Sequence, residues 1–301
     1  MRLSPIAADL LLLLVALCWG GTFVVVHEAV KTYPPFLLIG GRFLLALLAL
    51  MLLFPRHLRA WRTHLRPGLL LGSILLAGFA LQTFGLQYTP ASNSGFITGL
   101  NVLFVALIAG VFFPGRISGW TWGGVILATL GMIVLSWRGS AWHLSLGDLL
   151  TLLCALFFAL HIVATGFIAP SRDPVALAGV QFAVAGLGGL ALNAVVGADF
   201  FWPYASGWAV FTYLGLAATG FAFLVQTTAQ RHTPSIHTAI VLAAEPLFAA
   251  AIAVLFGGEK ATLQMAAGGG MIFAAMMMAI TPSPSIPLPC DNGGGVRRVK
   301  G

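Results

Sequence analysis

Seven residues have side chains that could handle a polar molecule from within apolar surroundings: Glu245, His161, Asn101, Arg42, Gln82, Gln226 and Trp19. Glu245 stands first. It lies about eleven residues into the apolar run 235–257, with Pro246 directly after it. An ionisable group at bilayer depth costs ~3 kcal/mol to insert, so its presence asks for a reason. A carboxyl there can exchange a proton or hold a substrate amine; equally, it can tie helices together by hydrogen bonds. Pro246 has no backbone N–H and releases a carbonyl one turn earlier. His161 offers proton exchange, substrate contact or an interhelical hydrogen bond. Arg42 lies roughly 10 Å from the end of its run at 1.5 Å per residue, too deep for easy snorkelling. It requires a partner, with Glu28 nearest in depth, or it grips a substrate carboxylate. The amides Asn101, Gln82 and Gln226 can donate to and accept from a polar ligand, or bond helix to helix. Trp19 either walls a cavity or packs. His27 and Glu28, near the end of the first run, need only snorkel.

The elements that carry these residues follow from composition. Of 301 residues, 59% are hydrophobic and 8% charged, and the mean hydropathy is +0.98. A soluble domain is about one-quarter charged, so this chain cannot cover a water-facing surface. Disordered, collagen-like and disulfide-framework classes fail on the same figures. An outer-membrane barrel would alternate apolar and polar residues, whereas these apolar stretches run unbroken. The expected fold is therefore an all-α polytopic membrane protein. Helical spans need ~20 apolar residues. Ten runs qualify: 10–30, 36–54, 69–88, 91–113, 118–136, 148–168, 175–196, 208–230, 235–257 and 262–280. The first reads as a retained helix, since no small-x-small cleavage site closes it before Lys31. The Pro- and Gly-rich tail 282–301 is expected to be disordered.

The net charge of +7 belongs to topology. With the N-terminus inside, the cytoplasmic connections hold Arg2, Arg56, Arg59, Arg62, Arg66, Arg116, Arg172, Arg231, Arg297, Arg298 and Lys300. The outer ones hold Lys31, Arg138 and Lys260. That imbalance sets both termini in the cytoplasm and leaves no need for a nucleic-acid partner. The run RHLRAWRTHLR (56–66) serves that orientation or binds anionic lipid. Cys18, Cys154 and Cys290 show no pairing or metal-ligand spacing, and no metal or cofactor is expected.

The two halves of the chain resemble one another. At an offset of 144, Gln82-Thr83 meets Gln226-Thr227, Thr89-Pro90 meets Thr233-Pro234, Leu103-Phe104 meets Leu247-Phe248 and Gly124 meets Gly268. At 139, Asp9 meets Asp148, Gly40 meets Gly179, Phe43 meets Phe182 and Thr22 meets His161. Asn101 is the counterpart of Glu245. The predicted units are 1–137 and 138–281, each of five spans. Five is odd, so the second unit enters from the opposite side, giving two inverted five-helix repeats. Secondary transporters use this plan, with the substrate site at midplane between the repeats.

Trp19-Gly20-Gly21-Thr22-Phe23, Arg42-Phe43, GLQYTPASNSGFITGL (85–100), Glu245-Pro246 and Gly258-Glu259-Lys260 together resemble the EamA-type branch of the drug/metabolite transporter superfamily, over about residues 8–280. The resemblance implies a ten-helix bundle that moves small metabolites such as amino acids across a bacterial inner membrane, with efflux the expected direction. The chain departs from that pattern at Gly115, the counterpart of Glu259, and at Asn101-Val102, the counterpart of Glu245-Pro246. Expected partners are a small-molecule substrate, protons and membrane lipids, in a monomer or homodimer. A substrate-driven facilitator or an importer fits the same residues. An intramembrane enzyme would need a nucleophile–base pair or metal ligands, and no HExxH sequence is present; no enzymatic activity is expected. ATP-driven pumping is not expected either, since no Walker sequence is present.

Overall fold

A backbone in hydrocarbon must satisfy its own N–H and C=O groups, so apolar runs become helices. The computed structural model describes residues 5–112, 117–136, 145–200, 203–256 and 261–280. The tail 282–301, Cys290, the Gly258-Glu259-Lys260 motif with its counterpart Gly115, and Arg2, Arg116, Arg138, Arg297, Arg298 and Lys300 lie outside the described residues.

The first span comprises α1 (Pro5–Gly20) and α2 (Thr22–Ala29), and the second is α3 (Pro35–Leu53). A short α4 (Pro55–Leu58) and a 3-10 turn (Trp61–His64) lead to α5 (Leu65–Gly85). Then come α6 (Ala91–Gly99) and α7 (Asn101–Phe112), followed by α8 (Gly119–Ser136). The second half holds α9 (Leu146–Ile168), α10 (Pro174–Val195) and α11 (Ala205–Thr212); a π-helical stretch (Tyr213–Phe221) joins α11 to α12 (Ala222–Ala229). It ends with α13 (Ser235–Leu242), α14 (Glu245–Phe256) and α15 (Leu263–Ile280). No strand occurs among the described residues. Among the described residues, eight spans are long and apolar enough to cross a membrane, while the apolar helices Gly119–Val134 and Leu263–Met278 are shorter. The chain is a multi-pass membrane protein.

Local chemistry sets the helix starts. Pro174 fills the first turn of α10, where a missing N–H costs nothing. Ser145 and Asp148 close a reciprocal capping box on α9. Pro90 and Pro234 precede α6 and α13. The interruptions within spans were only partly expected. Pro246 accounts for the break at Ala243-Ala244. The matching break at Leu100 has no proline and follows Gly99, a poor helix former. A third interruption falls at Gly21.

α3 packs on α10, α8 on α15, α5 on both α9 and α10, and α1 on α12, α13 and α14. Two of these contacts depend on glycine. A Cβ on Gly189 would lie 2.8 Å from Gly40 N, and one on Gly131 would lie 2.8 Å from Gly268 O. Between α3 and α10, the fully buried rings of Phe43 and Phe182 lie 5.9 Å apart. Outward-facing Leu52, Val111 and Leu255 are exposed, as a lipid-facing surface requires. The broken first span is pinned to the π-helical stretch. Trp19 Nε1 donates to Ala218 O at 2.8 Å, and Tyr213 OH donates to Cys18 O at 2.6 Å. At the helix starts, His237 Nε2 lies 2.6 Å from Asp9 Oδ1, and Thr89 Oγ1 donates to Asp148 Oδ1 at 2.6 Å.

Candidate functional site

The three interruptions border an open cavity with about 480 Å³ of empty space, the part continuous with the outside included. All seven residues singled out from the sequence line it: Glu245, His161, Asn101, Arg42, Gln82, Gln226 and Trp19. Asn101 and Glu245 are the first residues of α7 and α14, so each begins a half-helix at the cavity wall. The positive end of each half-helix dipole is therefore directed toward the space it borders.

Arg42 is 3% exposed and its expected partnership with Glu28 is not formed. Glu28 lies in the last turn of α2, exposed, and binds Lys31 Nζ three residues on at 2.6 Å. A carboxylate with a neighbouring ammonium in water gains nothing by entering the bundle. Arg42 instead donates from Nε to Thr219 Oγ1 at 2.8 Å, and its guanidinium carbon stands 4.6 Å from the centre of the Phe79 ring. Thr219 passes its own proton to Leu214 O at 2.7 Å, within the π-helical stretch. No acidic side chain pairs with Arg42 among the described residues.

Glu245 is half-buried and has no hydrogen-bond or ion-pair partner among the described residues. Gln226 donates from Nε2 to Gln230 Oε1 at 3.1 Å, and Gln230 donates on to Ile162 O at 2.8 Å. The Gln226 Oε1 acceptor, on a side chain 1% exposed, has no partner. Gln82 donates to Thr98 Oγ1 at 3.3 Å. His161 Nε2 lies 2.8 Å from Gln181 Oε1, so one ring nitrogen is engaged by the counterpart of Arg42 on α10. Trp19 is half-buried and serves both readings given for it. Its N–H is committed to Ala218, and its ring stands 5.1 Å from Phe223 across the cavity wall.

Sequence reasoning missed the aromatic part of the lining, Phe79, Phe158 and Phe223, together with Thr22, Thr98 and Ile162. Phe79 meets Phe158 at 5.2 Å and Phe223 at 5.9 Å, both edge-on. The repeat offsets contained the signal. Phe79 and Phe223 are 144 apart, as are Gln82 and Gln226, and Asn101 and Glu245; Trp19 and Phe158 are 139 apart, as are Thr22 and His161. Ten of the thirteen lining residues thus form five matched pairs. No cluster of three or more His, Cys, Asp or Glu suited to a metal occurs among the described residues.

The profile of the EamA-like transporter family matches residues 6–137 and again 145–281. An "Uncharacterized transporter" of Archaeoglobus fulgidus is 32% identical over 272 residues, covering 90% of this chain and 85% of that protein. A "Probable amino-acid metabolite efflux pump" of Escherichia coli is 31% identical over 157 residues, half of each chain. One solved crystal structure superposes with a TM-score of 0.75 at 21% identity, covering 92% of this chain and 97% of its own, a likeness of fold.

Proposed function

This chain belongs to the EamA-like transporter family, and we propose that it is a secondary transporter of small zwitterionic metabolites, amino acids first among them, working in the direction of efflux across a bacterial inner membrane. One observation carries the choice of substrate. Arg42 and Glu245 put a guanidinium and a carboxyl group on one cavity, and neither has an ion-pair partner among the described residues. A substrate carboxylate would satisfy the guanidinium as a bidentate partner. Its ammonium would satisfy Glu245 and the unpartnered Gln226 Oε1. A sugar phosphate would call for more cationic lining than one arginine. The relative named as an amino-acid metabolite efflux pump agrees in substrate class and direction.

The mechanism in this reading is alternating access between two inverted five-helix repeats, with the substrate held at midplane. Support comes from the five matched pairs on the cavity wall. Contact between Phe43 and its own counterpart Phe182 agrees, since counterparts can meet only close to a two-fold axis. Both termini are assigned to the cytoplasm from the arginine distribution. Glu245, with His161 on the same cavity, is the site at which a proton would exchange with the substrate amine.

The test uses purified protein in proteoliposomes with labelled neutral amino acids. Saturable flux, competed by amino acids and untouched by sugar phosphates, is expected. Glu245→Gln keeps the shape and removes the ionisable carboxyl that would pair with the substrate ammonium. Losing a charge-assisted contact of about 1.5–3 kcal/mol raises KM roughly 10- to 150-fold. Absence of amino-acid flux in the wild type, or an unchanged KM and pH profile in the variant, overturns the reading.

A further inference from the structure

We propose that the connection Phe54–Arg66 is a binding site for the headgroups of anionic phospholipids in the cytoplasmic leaflet. It is independent of what the cavity carries. The connection is not a loose loop. α4 and the 3-10 turn are fixed to the start of α10 by three polar contacts. His57 Nδ1 lies 2.7 Å from Asp173 Oδ2, the Asp173 N–H donates to His64 Nε2 at 3.1 Å, and Arg172 Nη1 donates to Thr63 O at 3.0 Å. Leu58 fills the space beside Gly179, and His64 is buried.

This clamp uses both histidines of the connection and leaves its arginines outward. Arg56, Arg59, Arg62 and Arg66 are all exposed, and none has an acidic partner among the described residues. The described acids on the loops and helix ends assigned to this face, Asp9 and Asp173, are already held by His237 and His57. Four guanidiniums in thirteen residues therefore face the headgroup layer with no counter-charge from the described residues. Exposed Phe54, Trp61 and Leu65 stand among them, and the Arg62 guanidinium lies 5.6 Å from the Trp61 ring centre. Exposed aromatic and leucine side chains next to arginines on a short, fixed element match the membrane interface, where the rings sit at headgroup depth and the guanidiniums meet phosphate. A soluble phosphate would make no use of the apolar side chains. A lipid engages both.

The full chain, purified in detergent, is titrated with phosphatidylglycerol, phosphatidylcholine and glycerol phosphate, and the adducts are counted by native mass spectrometry. Phosphatidylglycerol is expected to bind at a concentration at least about tenfold below phosphatidylcholine, with the preference fading toward about half-molar salt. Arg59→Gln with Arg62→Gln removes two cations while Arg56 and Arg66 keep the orientation. At about fivefold per arginine, most of the preference disappears. Arg59→Lys with Arg62→Lys folds with its charge intact and retains a clear preference. Equal binding of the two lipids by wild type, or a wild-type preference in the glutamine variant, overturns the site. Displacement of phosphatidylglycerol by glycerol phosphate at equal concentration assigns it to free phosphate instead and overturns the lipid.

Discussion

Replacing Arg42 with methionine should move stability and transport in opposite directions. The guanidinium is buried without an acidic partner, and taking a charge out of water costs several kcal/mol that only good pairing returns. What holds it is a charge-assisted hydrogen bond to Thr219, about 1.5–3 kcal/mol, and a ring contact with Phe79, about 1–2 kcal/mol. These offset the burial at best, so an apolar side chain of similar length should leave the melting temperature unchanged or raise it. Thr219 keeps its own hydrogen bond to Leu214. Transport should suffer, because a carboxylate would lose a bidentate partner of about 2–3 kcal/mol, or 30- to 150-fold in KM. Arg42→Lys keeps the charge without the fork and should fall between. Thermal melting in detergent and labelled amino-acid flux in proteoliposomes read the two quantities separately. A variant that melts many degrees lower yet transports with an unchanged KM would make Arg42 a structural residue and refute the reasoning.

Gly189→Val places a side chain against the backbone of Gly40 and should cost about 1–3 kcal/mol or more, visible as loss of monodisperse protein. Gly270→Ala, whose Cβ would meet nothing within 4 Å, should be neutral or slightly stabilising in the same assay. Asp173→Ala removes the cap of α10 and should cost about 1 kcal/mol. Partial burial works against the Asp173 carboxylate, but the Ala176 N–H and the His57 imidazole outweigh it and hold the carboxyl below the usual carboxylate range. Its contribution is therefore full above an unfolded value of about 3.9 and is lost as the pH falls through the lower folded value. Wild-type melting temperature should drop on acidification past that point, and the alanine variant should drop less.

The helical class, eight of the ten expected spans and the polar cavity lining were legible because charged and amide side chains contrast sharply with apolar surroundings. The aromatic lining was not. In a chain with lipid on one side and packed helices on the other, Phe79, Phe158 and Phe223 look like any other apolar residue. The break at Leu100 was also hidden, since Gly99 is one of 36 glycines and most of the others leave their helices intact. Arg42 is buried, and of the two partners open to it Glu28 is excluded. Depth along a helix says nothing about which way a side chain turns, and Glu28 turns to Lys31.

The five matched pairs on the cavity wall differ among themselves in a useful way. Phe79 with Phe223 and Gln82 with Gln226 are identical, and Trp19 with Phe158 are both aromatic, apart from the indole N–H that Trp19 commits to Ala218. Asn101 with Glu245 and Thr22 with His161 do not match in charge or protonation. A guest of no fixed polarity would find the chamber almost the same end for end. One with a head and a tail would be turned by the two dissimilar pairs together with Arg42, whose counterpart Gln181 is not on the wall. Repertoire can thus change by editing these five positions while the like pairs continue to define the outline.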